Sequence, residues 1–344
     1  MNDIMNSMER ALVEQGWIFG DKATRIGSPF VWAENEHKSN ILSLRGLYAV
    51  GFYYSMWYVK KDTPEALIMD NHDEVNGYMI SEITRSFKHF FPFLTFSDTW
   101  KNHVEAQALA RAQDLFFIQK YCPGLPETPN HIDIGPGLGC AASSSTRFLN
   151  SRFYALEASP MSYEVQRHYF RFMSPYPGAY LDAVECENYQ LPGPAIREEI
   201  NSGNYRIKHL PSWRFPWIDD ASADIMSATF VLNELNYAGI LWVLANASRT
   251  IKEGGCFYIR DSEILKPGTH NINYDRVLEK IGFRKTAELR FADRHVYFGI
   301  PRMYQKISPE ILSFDEIVEL CLGKYASVAS GSDLAYNTDK MPKL

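Results

Sequence analysis

The chain has 344 residues, 46% hydrophobic and 22% charged. That composition excludes a disordered chain and supplies one large domain, or a catalytic domain with an extension. A net charge of −6 argues against a nucleic-acid binder, which usually carries a basic face.

The N-terminal stretch MNDIMNSMERALVEQG lacks a basic head followed by an apolar run, so no secretory signal is expected. The most apolar stretch, LYAVGFYYSMWYV (Leu47–Val59), is shorter than the roughly 20 residues a helix needs to span a bilayer. It reads as a buried helix, and its rings would offer stacking faces to a ligand if the segment acted as a lid. Residues 1–115 are expected to form a helical N-terminal region, with helices at Ile4–Gln15, Leu42–Val59, Glu65–Met69 and Ile80–Phe90. A long helix then starts under a Ser97 or Asp98 cap and stops at Pro123-Gly124. His103 on this helix reads as exposed, or as reaching a crevice if the helix packs over one. The cysteines (Cys122, Cys140, Cys186, Cys256 and Cys321) form no C-x-x-C pair. They therefore suggest neither zinc nor a redox motif, and fit reduced thiols in a cytosol.

From about residue 130 the texture changes. Short apolar runs (HIDIG, RFYALEA, YRIKHL, ADIMSATFVL, GCFYIRDS) alternate with helix-length segments, including Ser159–Met173 and Tyr237–Lys252. This alternation predicts an α/β, doubly wound, Rossmann-like sheet over residues 116–307. GFRKTAELRF (Gly282–Phe291) and HVYFGIPRMYQKI (His295–Ile307) are joined only by Ala292-Asp293-Arg294. So short a link cannot carry a parallel crossover, so the closing pair must be antiparallel. Residues 308–344 read as a C-terminal helix and tail, with Ser313 and Glu316 at capping-box spacing.

The glycines of HIDIGPGLG (Gly135, Gly137 and Gly139) fall between a strand and a helix. Glycine allows positive φ and lets a ligand approach the backbone, and the turn presents free N–H groups beyond the strand ends. Glu157 ends the next strand, about 20 residues on, where an acid can accept from both hydroxyls of a ribose. The pattern reads as a nucleoside cofactor site. A nicotinamide fingerprint would carry Gly or Ala at its sixth position, where this chain has Cys140. Asp133, two residues before the first glycine, gains a purpose if the ligand bears an ammonium group.

The ordered series DIGPGLG, LEASP, ADIMSATFVLNEL and ASRTIKEGGCFYIRD resembles class I S-adenosylmethionine-dependent methyltransferases over residues 115–307. The resemblance implies a seven-stranded sheet with an antiparallel last strand and S-adenosyl-L-methionine as cofactor. It also implies a helix-turn-strand entry at I-K-E-G-G. Asp133 would orient the methionine amino group, Gly135 and Gly137 would face the cofactor beside Gly139, Glu157 would hold the ribose, and Ala158 would border the adenine. Ser212 and Trp213 stand where many relatives have an acid at the adenine edge. Thr229 and Phe230 would approach the methionine part. FYALEASPMSYEVQRHYF, with its Pro–x–x–Tyr–x–x–Gln spacing, and VLNEL resemble bacterial sugar O-methyltransferases.

Methyl transfer to a hydroxyl is aided by a general base. Glu234, just after the fourth expected strand, is the first candidate, against a reading as a helix N-terminal acid. His295 is the second, against a structural turn histidine. Asn233 and Asp261 are candidates for binding the acceptor. Asp219-Asp220 reads as a solvated turn, and no metal is expected. The expectation is a cytoplasmic enzyme that methylates a sugar hydroxyl or glycan precursor, with a helical N-terminal region over the acceptor pocket. Its partner would be a small-molecule or glycan acceptor, with no nucleic acid and no membrane span, and a homodimer is left open. Methylation of a non-sugar small molecule, a non-catalytic binding subunit and a nicotinamide dehydrogenase are the alternatives.

Overall fold

Two helices precede the first strand in the computed structural model. It describes residues 70–93, 95, 97–174, 178–189, 193–202, 204–232, 235, 237–261, 274–290 and 299–322, with Asp3 and Ser7. The expected helices at Leu42–Val59 and Glu65–Met69 lie outside the described residues, as does Ile4–Gln15 apart from the helical Ser7. Helix α1 (His72–Phe90) begins earlier than expected, with Asp73 and Glu74 in a first turn that favours negative charge. Helix α2 (Asp98–Tyr121) is capped by Ser97, whose side chain accepts from the Trp100 N–H. It stops at Cys122, before Pro123 and the positive-φ Gly124.

Strand and helix then alternate: β1 (Asn130–Ile134), α3 (Cys140–Phe148), β2 (Arg152–Glu157), α4 (Pro160–Met173), β3 (Tyr180–Asp182), α5 (Ala183–Tyr189), α6 (Gly193–Ser202) and β4 (Ile207–Pro211). A 3₁₀ turn (Ser212–Trp217) leads to β5 (Ala223–Thr229), α7 (Tyr237–Thr250), β6 (Ile251–Asp261), α8 (Tyr274–Lys280), β7 (Phe283–Glu288), β8 (Ile300–Lys306) and α9 (Phe314–Leu322). The strands form one sheet in the order β3-β4-β2-β1-β5-β6-β8-β7. β1 to β6 are parallel, and β8 lies antiparallel between β6 and β7. The doubly wound sheet with its antiparallel closing pair is the expected one.

Two details differ from expectation. The sheet has eight strands rather than seven, because Tyr180–Asp182 adds a short parallel edge strand against β4. Three residues are too few to show a period. The Ile251–Gly255 turn is instead the first part of β6: Ile251 pairs with Ala223, and the register then shifts before Cys256 pairs with Ile225. Gly254 takes φ 83° there, so the glycines make an irregularity in the strand and do not end the helix.

Side chains alternate across the sheet, so each strand feeds two cores. Ile132, Ile134, Met226, Ala228, Phe257 and Ile259 pack with α7, α8 and the 3₁₀ turn on one face. Phe153, Ala155, Ile225, Cys256 and Tyr258 pack with α1, α2, α3 and α4 on the other. The two helices preceding β1 therefore share a core with the sheet. α9 has the expected capping box, Ser313 and Glu316 bonding each other's backbone N–H.

Candidate functional site

β2 and β4 lie to one side of β1, and β5 and β6 to the other. The strand order thus reverses at β1, and in such sheets a crevice opens beyond the carboxyl ends at that point. The glycine turn sits there. Gly135, Gly137 and Gly139 take φ of 60°, 60° and 80°. A Cβ on Gly135 would meet Val231 at 2.6 Å and one on Gly139 would meet the Phe170 ring at 2.8 Å, whereas one on Gly137 would have nothing within 4 Å. The outer glycines therefore serve close packing as well as φ, and Gly137 fronts open space. The loop is tied down by the Gly135 N–H on the Leu156 carbonyl at 2.8 Å.

Asp133, at the end of β1, is buried, and its Oδ1 accepts from the Ser227 hydroxyl on β5 at 2.5 Å. Burial pushes its pKa up to about 7; the Ser227 hydrogen bond and Arg111 oppose the rise, and Asp114 adds to it. Since Ser227 donates to the carboxylate, it must accept from His131 Nε2–H at 2.8 Å. His131 Nδ1 then accepts from Ser145 at 2.7 Å, and Ser145 from Ser151 at 2.7 Å. Burial holds His131 down to about 3, so this ring is neutral.

Helix α2 covers this end of the sheet and brings charge. Asp114 accepts from the Tyr258 hydroxyl at 2.6 Å and lies 3.1 Å from Arg260 Nε and 3.4 Å from Arg111. Arg111 Nε and Arg260 Nη2 are buried without a hydrogen-bond partner. Arg111, Asp114, Asp133, Ser144 and Thr229 line one small cavity of about 20 Å³. The buried Asp133 carboxyl and the Arg111 guanidinium, with its unmade bond, thus line the same cavity. His103, expected on an exposed face of α2, is buried at 4% exposure, its ring 5.3 Å from Trp100.

Glu157, at the end of β2, is oriented before any ligand arrives. Its Oε1 accepts from the Ser159 backbone N–H at 2.8 Å and its Oε2 from Gln166 Nε2 at 2.6 Å. Ala158 beside it is half-buried. Past β4, Ser212 Oγ is buried with no partner. Trp213 is buried, and its indole N–H donates to Ser7 Oγ at 3.0 Å. Ser7 in turn donates to Glu187, which holds the buried Arg214 at 2.5 Å. Ser7 therefore docks on the segment after β4, a contact nothing local in the sequence signals.

Thr229 ends β5 and lines the cavity. Phe230 follows at φ 56°, a strained conformation for an aromatic residue, with its N–H on the Arg260 carbonyl at 2.8 Å and the Arg260 guanidinium 5.0 Å above its ring. Asp261 ends β6, fully buried. Asn233, Glu234 and His295 lie outside the described residues. Asp219 and Asp220 are exposed, and Asp220 pairs with Arg249 at 2.5 Å. Among the described residues no cluster of His, Cys, Asp or Glu could hold a metal, and no helix is long and apolar enough to cross a membrane.

No protein-family model and no curated protein matches the chain. Among solved structures it is similar to geranyl diphosphate C-methyltransferase from Streptomyces coelicolor A3(2), at 11% identity over 70% of this chain and 99% of that one, with a TM-score of 0.43. It is also similar to a SAM-dependent methyltransferase from Aquifex aeolicus, at 16% identity over 56% of this chain and 87% of that one, with a TM-score of 0.38. The class of fold stands on the strand order and the antiparallel β8.

Proposed function

We propose that the chain is an S-adenosylmethionine-dependent methyltransferase. The observation that carries the reading is the pair of buried acids flanking an open glycine at the switch point: Asp133 at the end of β1, Gly137 in the turn, and Glu157 at the end of β2. The donor set fits the cofactor from end to end. Asp133 would face its ammonium group and Arg111, with an unmade Nε–H bond, its carboxylate. Glu157 would accept both ribose hydroxyls, and the unpartnered Ser212 hydroxyl would meet the adenine edge. When bound, the cofactor supplies an electrophilic methyl group on a sulfonium. The chain's own part is alignment, which supplies much of the rate of an in-line displacement. Thr229 and the strained Phe230 border the methionine end, and Glu234, with His295 second, is the proposed base that takes the acceptor's proton. Asn233 and Asp261 are proposed to hold the acceptor.

The acceptor we propose is a hydroxyl of a sugar or glycan precursor. The Pro160–x–x–Tyr163–x–x–Gln166 window and VLNEL support this class over a non-sugar small molecule. Calorimetric titration with S-adenosylhomocysteine tests the cofactor: micromolar binding is expected, and binding of NAD in its place would refute the reading. Methyl incorporation from labelled donor across nucleotide sugars and glycans tests the acceptor. In the same assay Glu234→Gln should cut turnover by roughly 10²-fold or more. Unchanged turnover removes Glu234 as the base.

A further inference from the structure

We infer that Gln166 is a positioning residue: it locks the glycine turn to the ribose acid and is itself aimed by the edge strand through His209. The inference rests on the cofactor reading above. Gln166 lies on α4, fully buried. Its Nε2 donates one hydrogen to the Gly137 carbonyl at 2.7 Å and the other to Glu157 Oε2 at 2.6 Å. Both partners are pure acceptors, which fixes the amide: Oε1 must face the other way. There it meets His209 Nε2 at 2.9 Å, so that nitrogen carries the proton. His209 Nδ1 is left as an acceptor, for the Tyr180 hydroxyl at 3.0 Å. The result is a chain directed from His209 through Gln166 to Glu157, headed by the Tyr180 hydroxyl, which also lies 3.3 Å from Asp182 Oδ2.

The chain begins on β3, the edge strand that the expected seven-stranded sheet lacks. Tyr180 and Asp182 are its first and last residues. Asp182 accepts from Tyr163 at 2.9 Å and from Arg167 at 2.5 Å, pinning the two α4 residues three before and one after Gln166. Tyr163 stacks on His209 with ring centroids 3.6 Å apart. β3 therefore fixes both the helix that carries Gln166 and the ring that aims it. Each Glu157 oxygen is thus bound to a fixed N–H, and the carboxylate is held in one orientation.

The test is calorimetric titration of the full chain with S-adenosylhomocysteine in two backgrounds. Gln166→Met should weaken binding by about 10–100-fold, the usual weight of a hydrogen bond to a charged group. Added to Glu157→Ala, itself weakened, the same change should cost clearly less than in the wild-type background, because the carboxylate it positions is gone and only its bond to the Gly137 carbonyl remains to be lost. A packing defect would weaken both backgrounds equally, so equal losses overturn the inference, as does no loss in either. If Gln166→Met does not fold, Tyr180→Phe keeps the ring and removes only the far hydroxyl; it should show the same pattern at about threefold, and an equal effect in both backgrounds overturns the inference there too. A wild-type chain that binds no S-adenosylhomocysteine overturns the cofactor reading instead.

Discussion

Asp133 should make the native protein less stable in the state in which it is useful. Its carboxyl is pushed up to about 7 by burial, against about 3.9 in an unfolded chain. A group whose pKa rises on folding holds its proton in the native state and loses it on unfolding between those two values. Its contribution to stability is complete below about pH 4 and is lost as pH climbs to 7. Three pH units at about 1.4 kcal/mol each amount to roughly 4 kcal/mol. Asp133→Asn keeps the acceptor for Ser227 but cannot ionise. Its extra N–H₂ group adds a fixed cost that pH does not change. The stability difference between variant and wild type should therefore swing in favour of the variant by about 3 kcal/mol from pH 4.5 to pH 8, then stay flat. At roughly 2–4 °C per kcal/mol for a chain of this order of size, the relative Tm should move by about 6–12 °C. Thermal melts of both proteins across this range, followed by circular dichroism, make the measurement. Parallel curves would refute the claim that Asp133 is buried with a raised pKa. The same variant should lose S-adenosylhomocysteine binding at every pH.

Other outcomes follow from the same geometry. Wild-type affinity for S-adenosylhomocysteine should fall about tenfold per pH unit below 7, because the ammonium group requires ionised Asp133. Ser227→Ala removes a hydrogen bond that lowers this pKa, so calorimetry should find the midpoint of that fall moved to higher pH. Gly137→Ala should cost about 1 kcal/mol of stability, from its φ of 60°, and lose far more in binding, since its methyl enters open space at the turn. Gly135→Ala should show the larger loss in chemical denaturation, because its methyl meets Val231 at 2.6 Å. Ser7→Ala leaves the buried Trp213 indole N–H without its acceptor and should destabilise the protein by about 1–3 kcal/mol in the same assay.

What the sequence disclosed and what it hid divide along contact range. Asp133, the glycine turn and the strand–turn–helix around them are neighbours in the chain, so their chemistry is visible as a motif. Gln166 stands in a window whose spacing is legible, yet its task depends on Gly137, 29 residues before it, and His209, 43 after it. Ser7 reaches Trp213 across 206 positions. No local pattern carries such pairings. His103 misled for another reason. Helix α2 buries Gln107, Gln113 and Asp114 as well as Val104 and Phe117, so no polar face separates from an apolar one. Its polar residues are buried because it lies over the strand ends, where Asp114 receives Tyr258.

The two acids are held by the same device. Ser151, Ser145, His131 and Ser227 pass hydrogen bonds in one direction to Asp133, and Tyr180, His209 and Gln166 pass them to Glu157. Each chain runs through a buried histidine that burial holds down to about 3. A protonated His131 behind Ser227 would donate from both ring nitrogens, leaving Ser145 no acceptor to serve there, and would set a positive charge behind the Asp133 carboxylate. A neutral ring does neither. It fixes the direction of the hydrogen bonds and adds no second cation beside the carboxylate that Arg111 already faces. Placing the histidines in the sheet interior, where desolvation suppresses their charge, thus keeps both hydrogen-bond chains directed toward the acids, as the proposed cofactor reading needs.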